Sequence, residues 1–141
     1  MRRKTLLFVA ALALALLFVP GNVQIVSASA DNPAPEMPAY TYVDDVTPSL
    51  SISKGTAVAK VVVRDRNGDT TRITCTMTLQ KYSGGSWINV KSWTKTTASN
   101  TLTISGTKSV NKGRYRVKAV VKAYKGGKSE SITRYSGTVT Y

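Results

Sequence analysis

The sequence predicts an all-β domain, a sandwich of about seven antiparallel strands. Three observations lead there. From Val46 onward the chain is rich in Thr, Val, Ser, Ile and Tyr. Turns containing glycine recur about every ten residues, and no stretch repeats its apolar residues at the 3.6 period of a helix.

Residues 49–53 form a short first strand, and Lys54-Gly55 turns it into a second over 57–63. Asn67-Gly68 has the dipeptide of a tight hairpin turn. In the next strand Ile73, Cys75, Met77 and Leu79 alternate with Thr74, Thr76, Thr78 and Gln80, the period of a sheet with one buried face. Gly84-Gly85, between Ser83 and Ser86, leads into a strand over 86–95, and 100–105 follows. Tyr115, Val117, Ala119, Val121 and Ala123 then alternate with Arg116, Lys118, Lys122 and Tyr124. Gly126-Gly127 closes the last hairpin, and residues 129–141 complete the set.

The segment Leu102-Thr-Ile104 followed by Gly113-Arg-Tyr115-Arg-Val117-Lys-Ala119 resembles the L-x-I … G-x-Y-x-C-x-A pattern of immunoglobulin-like sandwiches. The resemblance covers about 20 residues on strands E and F of that fold and puts Tyr115 at the tyrosine corner, its hydroxyl bonding back to the preceding connection. Val117 stands where those domains carry their second cysteine, so the inter-sheet disulfide is absent. Cys75 is then expected as a small buried hydrophobe. The whole chain is also similar to small secreted proteins of Gram-positive bacteria grouped as an uncharacterised domain family. The blocks Leu79-Gln-Lys-Tyr-Ser-Gly-Gly-Ser-Trp87 and Gly113-Arg-Tyr-Arg-Val-Lys-Ala119 carry that likeness. It implies export and a β-sandwich, and no particular activity.

Two registers compete for the tryptophans. Trp87 follows Cys75 by twelve residues, as the buried tryptophan of an immunoglobulin strand C would. The favoured alternative is a hairpin closed at Gly84-Gly85. It sets Tyr82 against Trp87, Lys81 against Ile88, Leu79 against Val90 and Met77 against Ser92. Ile88 and Val90 then join the core face, while Tyr82, Trp87 and Trp93 share the outer face with Thr76, Thr78, Lys91 and Lys95. Beside the strand of Arg116, that outer face yields a candidate ligand-binding set: Tyr82, Trp87, Trp93, Lys91, Arg116, Lys118, Lys122 and Tyr124.

The composition narrows the chemistry. There are 141 residues, 20 Lys and Arg against 7 Asp and Glu, no His and one Cys. Histidine triads and histidine zinc sites are excluded, as is an intramolecular disulfide. Asp65-Arg-Asn67-Gly68-Asp69 opens like a calcium loop, but Thr76 stands where a bidentate acid is needed and Arg66 repels a cation, so a turn accounts for it better. With no G-x-S-x-G, P-loop or C-x-x-C, and no acid pair placed for a cleft, no enzyme is expected. No metal and no cofactor are expected either. The nine Lys and Arg over 108–134 suffice for non-specific attraction to phosphates, but no motif for specific nucleic-acid recognition accompanies them.

Residues 1–30 form an export signal. Arg2, Arg3 and Lys4 precede an apolar run over 6–19, Pro20-Gly21 breaks it, and Ala28-Ser29-Ala30 supplies a signal-peptidase site before Asp31. The run is short against the ~20 residues that span a bilayer, which disfavours an uncleaved anchor. No cysteine lies at the cleavage site for a lipid anchor, and the C-terminal residues show no sorting motif. Residues 31–46 read as an acidic, proline-rich arm, and 47–141 as the β-sandwich domain, a basic protein domain with 17 Lys and Arg from residue 54 onward.

The expectation is a secreted, extracellular, non-enzymatic interaction module. It would associate with an anionic glycan or cell-wall polymer through the basic, aromatic sheet face, without specific nucleic acid and without a membrane span after cleavage. The rival classes are a cationic secreted effector, antimicrobial or membrane-active, and a self-assembling structural domain.

Overall fold

The described residues form eight antiparallel strands: β1 (Val43–Ser53), β2 (Thr56–Asp65), β3 (Arg72–Ser83), β4 (Ser86–Thr97), β5 (Thr101–Ser109), β6 (Arg114–Lys125), β7 (Lys128–Tyr135) and β8 (Val139–Thr140). The structure, a computed structural model, describes residues 40–141. The export signal and residues 31–39 of the arm lie outside the described residues. There is no helix among the described residues.

The strands form two sheets. One has the order β1-β2-β5; the other runs β4-β3-β6-β7, with β8 pairing β6. Their apolar faces supply a single core. Val46, Ala57, Val61, Val63, Leu102 and Ile104 come from the first sheet, and Ile73, Cys75, Met77, Leu79, Val117, Val121 and Ile132 from the second. Each fully buried Leu, Ile or Met side chain contributes about 1.5–3 kcal/mol. Cys75 is wholly buried, as expected, and burial pushes its thiol up to about 11.

The expected turns at Lys54-Gly55, Gly84-Gly85 and Gly126-Gly127 close hairpins. At Gly84 and Gly85 both φ angles are positive, 59° and 88°, the left-handed geometry that matches the twist of paired strands. Tyr115 is buried, and its hydroxyl donates to the Asn111 carbonyl at 2.8 Å, closing the turn before β6.

Three expectations change. The first strand begins at Val43, six residues early, because a bulge between Val43 and Asp45 lets both Val43 and Val46 face the core. Pro48 is tolerated in β1 because that strand is an edge with one neighbour. Asn67-Gly68 does not close a hairpin: β2 and β3 lie in different sheets, and the segment crosses between them. The Asp65 carboxylate organises this crossing, accepting from the Asn67 amide at 3.2 Å and from the Thr70 amide and hydroxyl at 2.8 and 2.6 Å. Finally, 129–141 is two strands, broken at 136–138, where the Ser136 hydroxyl accepts from the Val117 amide at 2.8 Å.

Glu130, on the core side of β7, ties down the chain ahead of β1. Its two carboxylate oxygens accept from the Thr41 and Tyr42 amides, each at 2.8 Å. Arg134 donates to the Tyr40 hydroxyl at 2.8 Å.

Candidate ligand-binding face

The outer face of the five-stranded sheet is built by alternation across β4, β3, β6 and β7. Residues directly opposite one another share a side of the sheet. The β3–β6 register sets Gln80 against Arg116, Thr78 against Lys118, Thr74 against Lys122 and Arg72 against Tyr124. Since Leu79, Val117 and Val121 point into the core, these partners point out.

The β3–β4 register follows the expected hairpin only as far as Gln80. Tyr82 faces Trp87 and Lys81 faces Ile88, but between Leu79 and Gln80 the partner jumps from Asn89 to Lys91. Val90 is the extra residue of a bulge. One residue of slip flips every side chain beyond it. Trp93 therefore pairs Met77, Lys91 pairs Leu79 and Lys95 pairs Cys75, all on the core side. Trp93 and Lys91 are thus separated from the other six candidates, correcting the expected outer placement of both, and of Lys95. The pairings Leu79–Val90 and Met77–Ser92 do not occur. Ile88 is on the core side yet 51% exposed, whereas Val90 packs against the core.

Physical reasons for the flip are visible. β4 is an edge strand, and inward-pointing lysines discourage edge-to-edge pairing with other chains. Lys95 donates from Nζ to the Thr103 carbonyl at 2.9 Å, and Trp93 packs against the core beside Gly106 of β5. Trp93, Thr94, Lys95, Thr103, Ile104 and Ser105 line a groove of about 330 Å³ at this margin.

Five of the six candidates that do share the outer face form two groups. At one end the rings of Tyr82 and Trp87 meet edge to face, centroids 5.3 Å apart. The Arg116 guanidinium lies 4.2 Å from the Trp87 ring and 4.2 Å from the Tyr135 ring. Its Nε donates to the Gln80 side-chain oxygen at 2.9 Å, and the Gln80 amide donates to Asn89 at 2.9 Å. Arg114 sits 4.8 Å over Tyr82. At the other end Arg72 lies 4.0 Å over Tyr124, with the Lys122 ammonium 5.3 Å from the same ring. Lys118 stands between the groups, in register with Thr78 and Tyr135.

A guanidinium stacked on a ring keeps its in-plane N–H donors free, and those donors suit bidentate recognition of carboxylate or phosphate. Each stacking is worth about 0.5–1 kcal/mol at an exposed site and mainly fixes orientation. None of the outward side chains of this sheet is a carboxylate among the described residues. Asp44 pairs with Arg66 at 3.7 Å, Asp69 pairs with Lys125, and Glu130 serves the Thr41 and Tyr42 amides.

Arg114, Arg72, Gln80 and Tyr135 were missing from the sequence-derived set. The first three follow from the same alternation as Arg116. Tyr135 follows from counting back from the Gly126-Gly127 turn, which brings Lys118 opposite it.

No family model matches the chain, and no curated protein matches it.

Proposed function

We propose that this chain is an exported, non-enzymatic interaction module that associates with anionic cell-envelope or extracellular polymers through the outer face of its five-stranded sheet. The observation that carries the reading is the Arg116 guanidinium held between Trp87 and Tyr135, on a face with no outward carboxylate among the described residues. An open sheet face bearing orientated cations suits an extended polymer better than a small molecule, which needs a concave pocket. The sequence pattern of residues 1–30 supports export, where such polymers are met first. The buried, protonated thiol of Cys75 supports a structural rather than nucleophilic role for the only cysteine.

The domain is an immunoglobulin-like sandwich in this reading. Strand order β1-β2-β5 beside β4-β3-β6-β7 supports it, as does the Tyr115–Asn111 hydrogen bond at the tyrosine-corner position. The likeness to secreted Gram-positive domains rests on the two sequence blocks around Trp87 and Tyr115.

Retention of the mature protein on purified cell walls across a salt series tests the function. Lys118→Glu with Lys122→Glu is expected to lower retention and flatten its salt dependence, and Trp87→Ala to lower retention at every salt concentration, all with the fold intact. Retention unchanged in both variants rejects the proposed face.

A further inference from the structure

We infer that the outer face grips a linear polyanion at two points along the strands and selects for chain length. The inference rests on the polyanion reading above and deepens it. The two cation–aromatic groups occupy opposite ends of the same pair of strands. Tyr82 lies near the end of β3 and Arg72 begins it, while Arg114 and Arg116 open β6 and Lys122 and Tyr124 lie near its end. Six residues separate Arg116 from Lys122, which at the rise of a β-strand is about 20 Å.

The strip between the groups has a different chemistry. Hydroxyl pairs cross it: Thr74 with Thr96 at 3.0 Å, Thr76 with Thr94 at 3.3 Å, and Thr78 with Ser92 at 2.8 Å. Within each pair one hydroxyl donates to the other, so one O–H and several lone pairs stay free for a ligand. Val120, opposite Thr76, continues the run of short side chains. A chain laid along β3 and β6 meets stacked cations at both ends, and between them hydroxyl groups, Val120 and the single unstacked cation of Lys118.

The ligand this arrangement fits is a linear polymer with repeated carboxylate or phosphodiester groups. One anionic group is taken by the Arg114 guanidinium and the terminal Nη groups of Arg116, whose Nε is held by Gln80, and another, about 20 Å further on, by Arg72 and Lys122. A chain too short to reach both groups holds one. A chain that spans them makes the second contact intramolecular, and its affinity rises out of proportion to the added charge.

Calorimetric titration with two ladders of defined length tests this, using oligogalacturonates for carboxylate and linear polyphosphates for phosphate. Dimers are expected to bind weakly and dodecamers roughly tenfold tighter or more, with the gain arriving as a step at the spanning length. Arg72→Ala and Arg116→Ala, each checked for an unchanged denaturation midpoint, are each expected to abolish that step. The ladder that shows the larger step names the anion. Affinity that climbs smoothly with charge and ignores Arg72→Ala overturns the two-point grip while leaving a diffuse polyanion face. Absence of binding to every oligomer overturns both readings. A step found with single-stranded oligothymidylate, titrated as a third ladder, and with neither of the other two keeps the two-point grip but overturns the choice of an envelope or extracellular polymer in favour of nucleic acid.

Discussion

The indole of Trp93 lies against Gly106 so closely that a β-carbon there would come within 2.3 Å of its Cε2 atom. The two residues belong to different sheets, Trp93 to β4 and Gly106 to β5, so the contact joins the sheets at one margin of the core. It is also what the Val90 bulge achieves, since a regular hairpin would carry Trp93 to the other face. The requirement for glycine is steric, set by the ring that covers it.

Gly106→Ala should therefore destabilise the domain by about 1–3 kcal/mol, the usual cost of forcing an extra carbon into a packed site. In a Trp93→Ala background the same substitution should cost far less, because the obstructing ring is gone. Denaturant midpoints of the four proteins test this, and equal losses from Gly106→Ala in both backgrounds contradict the contact.

Tyr115→Phe removes one hydroxyl from a buried site and leaves the Asn111 carbonyl without that donor. The expected loss is about 1 kcal/mol, the net value of one buried hydrogen bond. A midpoint indistinguishable from the wild type removes the tyrosine from its role in closing the turn.

Acid stability should depend on Asp65. Burial alone raises its carboxyl, but the hydrogen bonds from the Thr70 side chain and amide and from the Asn67 and Gly68 amides outweigh this and hold it below its ordinary value of 3.8. A depressed folded value means the contribution is complete above the unfolded value and lost as pH falls through the folded one. Thr70→Val deletes the hydroxyl donor and should cost about 1 kcal/mol at neutral pH. Urea midpoints should show that gap narrowing as pH drops below 3.8. A gap that is constant with pH contradicts the assignment.

Alternation and turn chemistry made much of this fold legible. Residues 73–80 and 115–124 name their own buried faces, and Gly84-Gly85 sets the β3–β4 register from Ser83 back to Gln80. What stayed hidden was decided by packing between sheets. No Gly or Pro marks Val90 as a bulge; what favours it lies between the sheets, the indole against Gly106 and the Lys95 ammonium on the Thr103 carbonyl. The bulge at the start of β1 is equally silent, because adjacent Asp44 and Asp45 interrupt the apolar pattern that Val43 and Val46 restore in three dimensions. Two of the eight candidate binding residues, Trp93 and Lys91, were lost to the Val90 bulge. The cation–aromatic partners Arg72, Arg114 and Tyr135 were within reach of the same counting that found Arg116.

The two tryptophans stand on opposite sides of one sheet, which makes each the control for the other. Titrating isotope-labelled mature protein with polygalacturonate at low salt and following the indole N–H and arginine Nε–H resonances tests the proposed face most directly. The resonances of Trp87 and Arg116 should shift and return as salt is raised, while that of Trp93 stays in place. A shift of the Trp93 indole with Trp87 and Arg116 unmoved would contradict binding at the outer face.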